Sequence, residues 1–358
     1  MSIDASAGPA AADARPDDDP QAWSALAELY HRFLTGTLLA LVVRAGTEPA
    51  AEVVFRTFRR QHLDAFLPGL DKLGLTDQPH AVACAKYHVL SNALGGVRVE
   101  WIPESDTKSW VRYRPPRWIF DGTAVCGIPT ELSRAMLRGW HGHNGATLGN
   151  DNLGFVCTKQ TTDGQPGLEG YYIEEPEPLP EDEKVRYRPG EEPPGPSVDL
   201  PLPSWDPVRL AKVDRNYAAT YIRTLLPAMG EVLGPATAGA IGRIAGRQIG
   251  MQYHQTVLEL LGDEVPDLRS APDPEAFARR LARLLAGHGA TVDAGPSRPG
   301  WTVDWVPRMF TGAQAPSAFE AWNGLWEGMA EMEGLRLQVE GRHDEGDLVD
   351  AWRITVPR

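Results

Sequence analysis

Apolar positions along this chain fall into alternating blocks of helical and strand periodicity, and the same order of blocks runs twice. Trp23, Leu26, Leu29, Tyr30 and Phe33 recur at helical spacing, so residues 21–72 predict helix. Thr47-Glu48-Pro49 marks a fresh helix start within that stretch, because proline is tolerated in a first turn. Residues 53–70 continue as an amphipathic helix. A further helix containing Lys86-Tyr87-His88 ends at Gly95-Gly96. Two strand runs follow, 97–102 and 109–113, joined by the turn-rich segment 103–107. Pro115-Pro116 stops the second, since proline cannot continue a central strand. Residues 130–139 read as helix, and 153–158 with 168–174 as a second hairpin around Asp163-Gly164-Gln165-Pro166-Gly167.

Residues 175–207 break the pattern. They are dense in Pro, Glu and Gly and read as a linker, or as a strap wrapped over the surface. The order then restarts. Helices are expected through 215–229, 235–262 and 274–287, strands near 290–293 and 301–306, and a helix at 317–332. A terminal hairpin at 335–356 turns at Asp344-Glu345-Gly346-Asp347. The fold class expected is α+β: two duplicated units, each an antiparallel sheet of hairpins covered by helices, packed as a pseudo-dimer. The first unit spans 21–175 and the second 208–358, with 176–207 between them. A short motif, W-x5-P-R, occurs in each unit at Trp110–Arg117 and Trp301–Arg308, fourteen residues after Gly96 and Gly287 respectively. It predicts Trp110 over Trp301 and Arg117 over Arg308.

Composition refines this picture. Hydrophobic residues make up 42% of the 358 and charged residues 23%, ordinary for a globular protein of about two domains. The 11 tryptophans suit a large core or an aromatic-lined pocket. A net charge of -13 repels phosphate backbones and argues against nucleic acid as a partner. Residues 1–20 are Ala/Asp/Pro-rich without a basic or apolar leader and read as a disordered tail. The sequence offers no apolar run approaching the ~20 residues needed to cross a bilayer, so a membrane partner is not expected. Three separated cysteines, Cys84, Cys126 and Cys157, form no CxxC pair, which points to the cytoplasm. Cys157 lies in an apolar strand and is expected to be buried and inert.

The polar chemistry is concentrated in the first unit. Trp140-His141-Gly142-His143-Asn144-Gly145 carries a His-x-His pair that could ligate a divalent metal ion on a non-helical path, serve in acid–base catalysis, or simply cap a helix end. Arg112 and Arg114 share one strand face and have no arginine counterparts in the second unit. They could clamp a substrate carboxylate, or pair with Glu100, Glu104 or Asp106 on a solvated face. His88 either faces the core or enters the site. Glu169 and Tyr171 share a strand face and could activate and orient a water, or belong to an ordinary hairpin. The catalytic candidates are therefore His141, His143, Glu169 and Tyr171. Those for substrate binding are Arg112, Arg114, Trp140, Asn144 and His88. The sequence holds no GxxxxGK[ST], GxSxG or HExxH motif, and no GxGxxG after a strand.

The order helices, hairpin, helix, hairpin, closing on Glu345-Gly346-Asp347-Leu348-Val349-Asp350-Ala351-Trp352-Arg353-Ile354, resembles the L-2-amino-thiazoline-4-carboxylate hydrolase-like family. Asp163–Tyr171 is its counterpart in the first unit. Related vinyl-reductase (4VR-like) ligand-binding domains look similar. The resemblance implies hydrolysis of a C–N bond in a small polar, often cyclic and carboxylated, substrate. It carries no catalytic residue across. A non-catalytic small-molecule sensor and a structural pseudo-dimer partner are the other two readings, and further self-association is open to all three.

Overall fold

A computed structural model describes residues 19–94, 96–115, 127–201, 206–266, 271–297, 299–305, 309–344 and 347–357. Most of the expected tail, Cys126, Arg117, Arg308 and the Glu345-Gly346 turn lie outside the described residues. The described chain is α+β. In order it forms α1 (Pro20–Ala45), α2 (Thr47–Lys72), α3 (His80–Leu94), β1 (Val99–Pro103), β2 (Lys108–Tyr113), α4 (Thr130–Gly139), α5 (Asn144–Thr147), β3 (Leu153–Lys159), β4 (Leu168–Glu174) and β5 (Val185–Tyr187). Then follow α6 (Pro207–Leu233), α7 (Pro235–Leu261), α8 (Pro274–Ala286), β6 (Val292–Pro296), β7 (Trp301–Trp305), α9 (Ala315–Met332), β8 (Arg336–Asp344) and β9 (Asp347–Thr355).

Three helices open on the same dipeptide. Asp19, Asp206 and Asp273 each accept hydrogen bonds from backbone N–H groups of the first turn, and a proline follows each at the first helical position. The carboxylate satisfies donors that have no intrahelical partner, and the proline lacks the donor that would have been orphaned. The Asp206 cap starts α6 eight residues earlier than its apolar periodicity alone suggests.

The two sheets share a strand order. The first runs β1-β2-β4-β3-β5 and the second β6-β7-β9-β8. All neighbours are antiparallel except β5, which lies parallel to β3. That fifth strand comes from the segment between the halves, which is a strap and not a free linker. Farther along it, Val198 donates its N–H to the Trp101 carbonyl, 2.8 Å away.

The helices cross between halves. α1 packs against α6 and α7 and reaches α8, while α6 packs against α1 and α2 and reaches α3. Each half's first helix thus lies over the other half's second and third. α1 corrects the expectation that no apolar run is long enough for a bilayer. It is long and apolar enough by length and composition, but most of it is buried inside the fold. α7 and α9 approach backbone to backbone along glycines. A Cβ on Gly250 would sit 2.0 Å from the Leu325 carbonyl oxygen, and one on Gly324 2.5 Å from that of Arg243.

One continuous apolar core joins the helices to the inner faces of both sheets. A small separate cluster, Ile102, Trp110, Val156 and Tyr171, lies on the outer face of the first sheet. This corrects the W-x5-P-R alignment. Trp301 shares its face with Val303 and Trp305, which belong to the main core, whereas Trp110 is in the outer cluster. The hairpins align Pro103↔Ser109 with Pro296↔Trp301, so the equivalent of Trp301 is Ser109. A one-residue slip reverses every side chain of a strand, and the motif is offset by one.

Candidate functional site

A cavity of about 340 Å³ opens between α2, α3, the end of α4, β2 and α6. Its walls are Phe58 and Gln61 from α2, Tyr87, His88 and Asn92 from α3, Tyr113 from β2, and Met136, Trp140 and His141. Val213, Tyr217 and Tyr221 of α6 close it. The second half therefore builds one wall of the first half's cavity. Asp64, exposed at the rim, is the single carboxylate lining it, and no Lys or Arg is among its described lining residues.

Two buried imidazoles lie side by side in the cavity wall. The His88 and His141 rings are stacked with centroids 4.3 Å apart and planes 11° apart. Behind them, the Asn144 amide nitrogen donates to the Tyr172 hydroxyl at 3.1 Å, and that hydroxyl lies 2.6 Å from His141 Nδ1. Burial holds the Tyr172 phenol well above its ordinary pKa, so it keeps its proton. A hydroxyl that accepts from the amide donates its own proton to Nδ1, which leaves the His141 ring hydrogen on Nε2. Across the cavity, the Tyr221 hydroxyl donates to that of Tyr217 at 3.1 Å, and Tyr217 to Asn92 Oδ1 at 3.4 Å. The Asn92 amide in turn caps the His88 carbonyl at 2.8 Å.

Of the residues singled out in the sequence, His88, Trp140 and His141 line this cavity, and Asn144 stands one layer behind. His143 does not. The three-residue 3-10 turn at 141–143 sends it toward His62, where the rings meet edge to face at 5.3 Å. Burial and then Arg59 lower its pKa, while burial with His143 and Arg59 pushes His62 down to about 3. His141 and His143 thus do not converge. Among the described residues no three His, Cys, Asp or Glu side chains gather to hold a metal ion.

Arg112, Arg114, Glu169 and Tyr171 lie on the other side of the sheet. Their parity along β2 and β4 is that of Trp110, whereas Val111, Tyr113 and Tyr172 face the helices. The proposed clamp and water-activating pair therefore cannot reach His141. Arg112 is bonded to Glu169, which is 1% exposed and also 3.0 Å from Lys159 Nζ. Arg114 pairs with Glu100 at 2.7 Å. Tyr171 donates to Glu191 of the strap at 2.9 Å, and its phenol is pushed up to about 12 by burial and that carboxylate. Burial likewise pushes the Cys157 thiol up to about 12, as its apolar strand predicts.

Comparison of the chain with protein-family models, with curated proteins and with solved structures finds no match. The site stands on its own geometry. Tyr87, Tyr113, Tyr172, Tyr217 and Tyr221 were not legible as site residues, because aromatic residues at helical or strand spacing read as core. The second sheet differs at the same ladder positions. By ladder position Trp305 stands where the first half has Tyr113, and Trp352 where it has Gly170. With Trp322 and Trp326 these indoles form a solid cluster, centroids 5.1 to 5.6 Å from Trp322.

Proposed function

We propose that the protein is a small-molecule-binding module, and that its first-half cavity takes a flat, uncharged or weakly cationic organic ligand. The observation that carries this is the wall itself. Aromatic rings from both halves surround two stacked imidazoles, with no guanidinium or ammonium among the described lining residues to meet an anion. Rigid aromatic walls bind planar ligands through area and ring stacking, and they favour a cation over an anion. His141 Nε2–H and the Trp140 indole N–H are donors suited to a ligand carbonyl or ring nitrogen. The reading includes the two halves as copies of one unit packed as a pseudo-dimer, on the shared strand order and the reciprocal crossing of α1 and α6. It also includes a cytoplasmic setting, on Cys84 and Cys157, which are free thiols among the described residues.

Hydrolysis of a C–N bond is the second reading, and the His141 Nε2–H, a donor for a leaving nitrogen, supports it. Its carboxylate clamp has gone to the other face of the sheet, so such a substrate would be uncharged. A thermal-shift and calorimetric panel of neutral and cationic heteroaromatics tests both. Saturable binding that Trp140→Ala and Tyr217→Ala weaken by about tenfold, without turnover, supports the binding module. Product release that His141→Ala abolishes would replace it with the hydrolase. Absence of any binding would leave the structural partner.

A further inference from the structure

α6 has a second lined face. Arg215, Ala219 and Arg223 follow one another at helical i,i+4 spacing on the side turned to the second half. With His288, Trp305 and Met309 they line a separate cavity of about 190 Å³. Arg215 is only 9% exposed, and its Nε meets no hydrogen-bond partner. Among the described residues Arg223 bonds only to its helix neighbour Thr220, at 3.5 Å. Among the described residues no carboxylate pairs with either arginine. The Trp305 indole Nε1–H is buried in the same wall and is also unpartnered.

His288 completes the lining as a neutral ring. Its Nε2 lies 2.5 Å from the Tyr30 hydroxyl, which accepts from Trp322 Nε1 at 2.9 Å. The same hydroxyl lies 3.9 Å from Met309 Sδ, a second acceptor for its proton. Burial and the two guanidinium groups hold this imidazole down to about 3. The wall thus presents donors and positive charge beside the apolar surfaces of Trp305, Ala219 and Met309.

A buried guanidinium with no counter-charge is costly, and two beside each other repel. The same pair is the planar donor set that recognises carboxylates. We propose that this cavity binds a small organic carboxylate, with its oxygens held by Arg215, Arg223 and the Trp305 indole N–H. The volume is too small for a nucleotide, and the apolar wall suits a short hydrocarbon or single-ring body better than a bare ion.

Calorimetry of the full chain with benzoate, its neutral counterpart benzamide, and inorganic phosphate is the test. Benzoate is expected to bind saturably, benzamide not to bind, and Arg223→Gln to weaken benzoate by about tenfold or more. Arg223 is exposed, so that variant keeps the test valid if Arg215→Met fails to fold. Arg215→Met is expected to lose benzoate binding while raising the unliganded Tm, because it removes an unpaired buried charge. Phosphate binding without benzoate binding would overturn the carboxylate assignment. Absence of anion binding, equal benzoate affinity in Arg223→Gln, or a lower Tm in Arg215→Met would overturn the site.

Discussion

His141 and Tyr172 are joined by a 2.6 Å hydrogen bond whose direction is set by a third residue, Asn144. This chain places the His141 ring hydrogen on Nε2, in the cavity wall. The expected ¹⁵N spectrum shows the His141 ring proton on Nε2. Tyr172→Phe removes the donor to Nδ1 and is expected to mix the two tautomers. A wild-type ring protonated on Nδ1 would contradict the assignment and restore His141 as a general-base candidate.

Glu169 is expected to matter for stability and not for the cavity. It is buried against Arg112 and Lys159 on the outer face. Glu169→Gln leaves those cations without their carboxylate and should cost about 3–5 kcal/mol in urea unfolding. Arg112→Ala should leave ligand affinity in the cavity unchanged. A loss of affinity in that variant would put the outer face back into the site.

One buried and one half-buried histidine make the fold acid-sensitive. His62 and His288 are both depressed to about 3 in the folded chain, chiefly by burial. Unfolded histidine titrates near 6.5, so their contribution is fully present above that value and is lost as pH falls toward 3. From pH 7.5 to pH 5 each should remove about 2 kcal/mol of unfolding free energy. His62→Gln and His288→Gln should each flatten that slope by about half. An unchanged slope in both variants would refute the assignment.

The α7–α9 contact should tolerate no methyl group at its tightest point. Gly250→Ala places a Cβ against the Leu325 carbonyl and should cost about 3 kcal/mol by overpacking. Trp322→Ala, at the centre of the indole cluster, should cost about 3–5 kcal/mol. Chemical denaturation measures both, and a neutral Gly250→Ala would mean that the helices separate freely.

Element identity was legible because periodicity and punctuation agree locally. α4 at Thr130–Gly139 and β4 at Leu168–Glu174 fall where proline, glycine and the apolar spacing put them. The early start of α6 was also written in Asp206-Pro207, a cap that apolar spacing does not register. Sheet face was harder. Arg112 and Arg114 share a side, as period two requires, but nothing local says which side meets the helices. The W-x5-P-R likeness misled for the same reason, since a one-residue offset is invisible in a motif and reverses a strand. The α6 wall was out of reach of the sequence. Tyr217 and Tyr221 mark an apolar stripe, and only packing across halves decides that the stripe closes a cavity.

The crossing of α1 and α6 has a consequence for how this chain can be divided. A cut in the strap before Asp206 would give two fragments, each carrying a helix that belongs over the other. The amino-terminal fragment would lose the Tyr217–Tyr221 wall and lay bare α2, and the carboxy-terminal one would lose Tyr30 from beside His288 and Trp322. Neither can be shuffled into another protein as a finished part. Mixed together, the fragments have a built-in reason to reassociate, which suits the chain to split-protein complementation at that point.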